Sequence, residues 1–181
     1  MDDKNNNIDA QNPPFRGLGG IQAPPLGGWG VCLASSSDFA KILEIQKKAF
    51  YSEAELYQNF NIQPLTQTLE EMMDECNEKV VLKAVVDGKI VGSIRANAYE
   101  EGCWLNKLIV LPDYQRRGIG EKLLREIEKH FPEAKKFTLG TGANSESNIR
   151  LYQKVGYQIV GKTTFEGGIE AVMMEKTPQT P

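Results

Sequence analysis

The sequence predicts an α/β sandwich in which a mixed, mostly antiparallel sheet of about six or seven strands is flanked by about four helices. Three observations carry that expectation. The apolar spacing switches several times between the helical and the strand period from residue 30 onward. Asp87-Gly88 divides two strand-like runs by the two-residue turn of a hairpin. The chain of 181 residues, 40% apolar and 25% charged, matches one ordinary domain able to bury a core.

Residues 1 to 28 hold Pro13-Pro14, Pro24-Pro25 and many Asn and Gly with no apolar period, so they read as a flexible tail. Val31-Cys32-Leu33 is a short strand, and Ser35 with Asp38 has the spacing of a capping box. Phe39, Ile42, Leu43, Gln46, Ala49 and Phe50 then recur at helical spacing, leaving Lys41, Lys47 and Lys48 for solvent. The stretch Tyr51–Tyr57 continues that helix or turns off it. A second helix fits Thr66–Cys76, with Leu69, Met72, Met73 and Cys76 apolar. The hairpin joins Val80–Val86 to Lys89–Ile94, where Gly88 supplies the positive φ of the turn. A strand from Cys103 to Leu111 is stopped by Pro112-Asp113. The next helix opens at Gly118, buries Ile119, Leu123, Leu124, Ile127 and Phe131, and ends at Pro132. Phe137–Leu139 is a strand, Asn148–Val155 a helix capped by Gly156, and 157–162 and 169–175 are two last strands. The domain spans 29–176, with 177–181 a frayed end.

The net charge of -3, with 21 basic residues spread among 24 acidic ones, leaves no basic footprint for a phosphate backbone and argues against nucleic acid. Cys32, Cys76 and Cys103 are odd in number and far apart, unlike a disulfide framework or a zinc site, so no metal is expected. The Met-Asp-Asp-Lys start has no apolar signal region, and no run nears the ~20 apolar residues of a membrane span. The expected setting is the reducing cytoplasm, away from membranes.

The segment Leu108 to Glu121 carries the chemistry, because it joins a strand to a helix N-terminus. Amides at a helix start point outward unpaired, and the partial positive charge there suits a pyrophosphate. Gly118 and Gly120 lack the Cβ atoms that would hold phosphates off the backbone, and Arg116 and Arg117 add charged donors. A P-loop would need Lys-Ser or Lys-Thr where Glu121-Lys122 stands. A dinucleotide fingerprint would need a third Gly where Leu123 stands.

Gln115-Arg116-Arg117-Gly118-Ile119-Gly120, following Val110-Leu111-Pro112, resembles the Q/R-x-x-G-x-G/A signature of the GNAT superfamily of N-acetyltransferases. Asn148-Ile-Arg-Leu151-Tyr152-Gln-Lys-Val-Gly156-Tyr157 resembles that family's later helix. The likeness runs from about residue 30 to 176 and does not cover the tail. It implies a GNAT-like fold and acetyl-CoA as cofactor, bound through Leu108, Ile109, Val110, Gln115, Arg116, Arg117, Gly118, Ile119, Gly120, Glu121, Asn148 and Tyr152. The signature strand should splay from its neighbour, so that the backbone of Leu108, Ile109 and Val110 pairs with the pantetheine arm. The Val110 N–H is the oxyanion donor, and Tyr152 supports departure of coenzyme A. Asn148 lies one turn before Tyr152, in reach of the cofactor.

The implied reaction is direct attack of a primary amine, on a small molecule or a protein, with no covalent enzyme intermediate. A catalytically silent CoA-binding module acting through protein contacts is the alternative. A lysine-like amine is protonated at neutral pH, and removing that proton costs roughly 4 to 5 kcal/mol. Glu53, Glu55, Glu100 and Glu101 are carboxylates suitably placed to help, and Glu53 joins Tyr152 and Val110 in the catalytic set. Asn106 is not ionisable, and His130, the only histidine, sits at the far end of the cofactor helix. Tyr51, Glu53, Glu55, Tyr57 and Trp104 suit a cationic amine. The expected partners are acetyl-CoA and the amine, with a second copy of the chain as a further candidate.

Overall fold

The computed structural model describes residues 28–100 and 102–178. The expected tail before Gly28, the candidate base Glu101 and residues 179–181 of the C-terminal end lie outside the described residues.

The chain order is β1 (Trp29–Leu33), α1 (Phe39–Tyr57), α2 (Gln63–Thr66), α3 (Leu69–Cys76), β2 (Val80–Val86), β3 (Lys89–Tyr99), β4 (Gly102–Val110), α4 (Ile119–Glu128), β5 (Lys136–Gly142), α5 (Glu146–Val155), β6 (Gln158–Phe165) and β7 (Ile169–Lys176). The seven strands form one sheet ordered β1-β2-β3-β4-β5-β7-β6, and β4 with β5 is its parallel pair. One face packs Leu82, Ile94 and Leu105 against Ile119, Leu123, Ile127 and Tyr152 of α4 and α5. The other packs Val81 and Ile109 against Phe39, Ile42, Ile45 and Met72 of α1 and α3. Alternation along each strand assigns the two faces, so helices cover both.

Three boundaries differ from the sequence expectation for identifiable reasons. The polar and aromatic stretch after Phe50 stays helical, and α1 ends only where Gln58 turns left-handed at φ 50°. The second helix begins at Leu69 rather than Thr66, because Thr68 caps it: Glu71 N–H donates to Thr68 Oγ1 (3.2 Å) and Thr68 N–H to Glu71 Oε2 (2.8 Å). Thr66 belongs instead to the single turn α2, which raises the helix count to five. β3 runs five residues past Ile94, because Arg95 is fully buried among polar partners rather than marking an edge.

The Arg95 guanidinium donates to Glu75 Oε2 (3.0 Å) and Gln46 Oε1 (2.6 Å), while Gln46 Nε2 donates to Pro64 O and Gln67 Oε1 (both 2.9 Å). This network ties α1, α2, α3 and β3 together and fixes the α2 turn. Burial alone would raise the Glu75 carboxyl, but the Lys79 hydrogen bond and the Arg95 charge bring it down to about 2.

His130 is buried, with neither ring nitrogen bonded among the described residues, and burial lowers its pKa against a small opposing pull from Glu126. The unfolded chain takes up a proton near pH 6.5 that the folded chain refuses. Stability should therefore be full above pH 6.5 and fall below it, by at most about 1.4 kcal/mol per pH unit from this group. Urea denaturation between pH 7.5 and 5.5 measures the slope, and His130→Phe should flatten it.

Candidate active site

The parallel β4–β5 ladder pairs only Gly102–Trp104 with Lys136–Thr138. Beyond those pairs the strands part, and a cavity of about 690 Å³ opens between Leu105–Val110 and Leu139–Gly142. The expected splay is therefore present. Just past β4, Leu111 N–H donates to Val91 O at 2.8 Å, so the antiparallel alternation turns the neighbouring Val110 amide away from β3. Gln115 Nε2 reaches the outward Val110 O at 3.0 Å and folds the following loop back onto the strand. Ile109 pairs with Ser93, and its carbonyl oxygen lies 2.7 Å from where a Cβ on Gly92 would stand. Its backbone therefore serves β3, and the pairing expected of Leu108, Ile109 and Val110 narrows to Leu108 and Val110.

At the other end of the cavity α4 begins. Gly118 sits at φ 82° with nothing within 4 Å of the position a Cβ would take. Lys122 N–H is the first helical donor, to Gly118 O at 2.9 Å, leaving the amides of Ile119, Gly120 and Glu121 without an intrahelical partner. Arg116, itself left-handed at φ 59°, lines the cavity beside them. Two expectations shift here. Arg117 stacks over Tyr114 at 5.3 Å and does not line the cavity, and the Ile119 side chain lies in the core, so only its amide faces a ligand. A Cβ on Gly120 would meet Leu151 Cδ2 at 3.1 Å, so that glycine allows α4 and α5 to approach. The Glu121 carboxylate is neutralised by Lys154 (2.7 Å) and Arg125 (3.0 Å), and the hydrogen bond from Lys154 leads in lowering its pKa.

Between these ends lie Glu53 and Tyr152. Glu53 accepts from Ser145 Oγ (2.5 Å) and Asn148 Nδ2 (3.1 Å), joining α1 to α5 across the cavity. Asn148 thus bonds Glu53 with the amide expected to reach the cofactor. Tyr152 is buried, lines the cavity and has no partner for its hydroxyl among the described residues. Burial and then the Glu53 charge push that phenol above its ordinary pKa, so it is a neutral donor. Of the other carboxylates expected to help, Glu55 and Glu100 do not line the cavity.

Several cavity residues were missed from sequence. Lys107 occupies a bulge of β4 at φ 52°, where the register sets Ser93 and Arg95 opposite Ile109 and Asn106. Asn106 lines the wall with its buried Oδ1 unpaired among the described residues. Glu166 borders the mouth from the β6–β7 turn. An Asp-Gly turn announces itself in sequence, but a Lys at a bulge does not.

Comparison with known proteins agrees with this architecture. The family model described as an acetyltransferase (GNAT) domain matches residues 46–178. A probable spermine N(1)-acetyltransferase of Bacillus subtilis subsp. natto (strain BEST195) is 34% identical over 76 residues, which are 40% of this chain and 49% of that protein. The match thus spans about half the length of that relative. Among solved structures, the PaiA N-acetyltransferase of Thermoplasma acidophilum in complex with coenzyme A superposes with a TM-score of 0.68 at 19% identity, over 83% of this chain and 99% of that one. The ribosomal-protein-S18-alanine N-acetyltransferase of Escherichia coli gives 0.67 at 18% identity, over 84% and 96%. These two likenesses concern the fold. The family model covers well over half of the chain, and its match includes the signature loop, the splayed strand and the later helix, so the chain belongs to the GNAT acetyltransferase family.

Proposed function

We propose that this chain transfers an acetyl group from acetyl-CoA to a primary amine of a small molecule by direct attack, without an acetylated enzyme. The observation that carries the reading is the β4–β5 gap, which joins the free amides of α4 to Glu53 and Tyr152 along the outward edge of β4. A bound thioester supplies the activated acyl group. The amides of Ile119, Gly120 and Glu121, with Arg116, receive the diphosphate, and Gly118 leaves room for it. Leu108 and Val110 pair with the pantetheine arm as an added strand would, and the Val110 N–H meets the carbonyl oxygen as its charge develops. Gln115 holds the loop, Asn148 holds Glu53, and Glu53 accepts the amine's proton as the C–N bond forms.

Tyr152 donates a hydrogen bond to the departing sulfur. Even an ordinary phenol near 10 against a thiol near 8.5 makes full proton transfer uphill by about 2 kcal/mol, and burial raises the Tyr152 phenol further, so hydrogen bonding is its contribution. Tyr152→Phe should lower kcat roughly 10- to 150-fold while acetyl-CoA affinity moves less than about threefold. Steady-state kinetics with calorimetry tests it; an unchanged kcat with lower stability would make Tyr152 a core residue only.

Glu53, Glu166 and the rings of Phe50 and Trp104 around the cavity support a cationic amine as acceptor, and the partial relative bears the name of a spermine acetyltransferase. The reading places the chain in the reducing cytoplasm, which its three free, buried cysteines support, and away from membranes, consistent with no described helix being long and apolar enough to cross one. The acetyltransferase domain is 29–176, and the exposed Ile159 and Val160 on the edge strand β6 are where a second copy would pair. Thiol release from acetyl-CoA across a panel of amines, with mass detection of the products, decides the activity. Protection by acetyl-CoA without turnover of any amine would favour the silent binding module.

A further inference from the structure

Among the charged side chains that line the cavity, Glu53, Glu166 and Lys107 form no ion pair among the described residues. Lys107 is the unusual member. The bulge of β4 turns its backbone left-handed, a conformation L-residues rarely adopt, and its ammonium lies among cavity-lining residues. Lys107 Nζ donates to Gln63 Oε1 of α2 and stands 5.9 Å over the Phe50 ring, so both near partners are neutral.

The carboxylate it feels most through space is Glu75, which is already engaged by Lys79 (2.9 Å) and Arg95 (3.0 Å), and those two cations repel Lys107. Burial leads in lowering the Lys107 pKa, to about 8, as expected of a desolvated ammonium without a counter-ion. The free amides and Arg116 that would receive the cofactor's phosphates are at the other end of the cavity. The anion that Lys107 lacks must then come with the acceptor, while Glu53 calls for a cation on the same molecule. A polyamine would bring a second positive charge toward Lys107, where like charges repel.

Building on the acetyl-transfer reading, we propose that the acceptor is an amine carrying a carboxylate, of the amino-acid class, with Lys107 receiving the carboxylate as the specificity-determining residue. The α2 turn that presents Gln63 is held by the buried Gln46–Arg95–Glu75 network, which keeps Lys107 pointed at the acceptor end.

Matched acceptors that differ only by the carboxylate test this: L-lysine against cadaverine, and L-ornithine against putrescine, with spermidine as the polycation. The full chain, assayed by thiol release, should favour the amino acid of each pair by about tenfold or more in kcat/KM, the scale of one charge-assisted contact. Lys107→Met should lower that ratio about 10- to 100-fold, mainly through KM, and Lys107→Arg should keep it within about threefold. A preference for the diamines or spermidine overturns the proposal and leaves acetyl transfer standing, as does a ratio that Lys107→Met does not move. If the Met variant does not fold, the wild-type preference and the Arg variant decide. No turnover with any amine, while calorimetry shows acetyl-CoA bound, takes down the acetyl-transfer reading and this proposal together.

Discussion

Gly118→Val should lower acetyl-CoA affinity by at least about 100-fold while leaving a folded protein. Two effects combine at this position. The backbone needs φ 82°, which costs a β-branched residue about 1 to 3 kcal/mol, so the variant melts at a lower temperature but keeps its core. The added Cβ meets no protein atom within 4 Å, so the side chain starts into open space beside the α4 N-terminus and not into a packed interior. Losing two charge-assisted amide contacts at roughly 1.5 to 3 kcal/mol each gives at least two decades in the dissociation constant. Gly118→Asn separates the two effects, since Asn tolerates the left-handed region; it should recover most of the stability and only part of the binding. Calorimetry with acetyl-CoA and thermal melts read both. Affinity unchanged in the Val variant would remove the diphosphate from this loop.

Gly120→Val would read differently. Its Cβ pushes on Leu151 of α5, so a loss of affinity there would mix packing with ligand contact. The sequence alone could not separate the two glycines, because a Gly-x-Gly pattern is silent on which residue needs the conformation and which needs the clearance. The structure assigns conformation to Gly118 and clearance to Gly120.

Much of the fold was legible because the core is written in local periods. The stripe Ile119, Leu123, Leu124 and Ile127 is buried as spaced, Gly156 caps α5 at φ 103°, and Asp87-Gly88 turns with both φ values positive. What stayed hidden depends on partners distant in sequence. The strand read as Lys89–Ile94 runs on because Gln46 and Glu75, 49 and 20 residues from Arg95 in sequence, satisfy that buried side chain. The second helix was read from Thr66, although Thr68 and Glu71 have the capping-box spacing that starts it at Leu69.

The site divides in the same way. The loop proposed to hold the cofactor is one contiguous segment, so a single motif with its family resemblance singles it out. The acceptor end is assembled from α1, α2, β4, α5 and the β6–β7 turn, so no single stretch announces it. Glu53 was one of four candidate carboxylates, and its bonds to Ser145 and Asn148, 92 and 95 residues away, distinguish it.

Glu53→Gln should lower kcat/KM for the amine about 100-fold or more, with acetyl-CoA affinity within about threefold, because a positioned general base contributes roughly two to four decades. The two groups that hold Glu53 are a hydroxyl and an amide, so its negative charge is oriented but not neutralised. That charge draws the ammonium toward the thioester. The ammonium must first lose one proton to solvent to free its lone pair; the nitrogen turns acidic again as the C–N bond forms, and the carboxylate then accepts that second proton while coenzyme A departs. Gln preserves the size and the link between α1 and α5 while removing both functions, so the melting temperature should change little. Glu53→Asp keeps the charge but withdraws it by one methylene from Ser145 and Asn148, and an intermediate loss of about tenfold is the expected outcome. Ser145→Ala supplies the control, since it loosens the link and leaves the carboxylate in place. If Glu53→Gln kept its turnover and merely melted earlier, with Ser145→Ala melting earlier to the same extent, Glu53 would be a strut between two helices, and the proton would have to leave by another route.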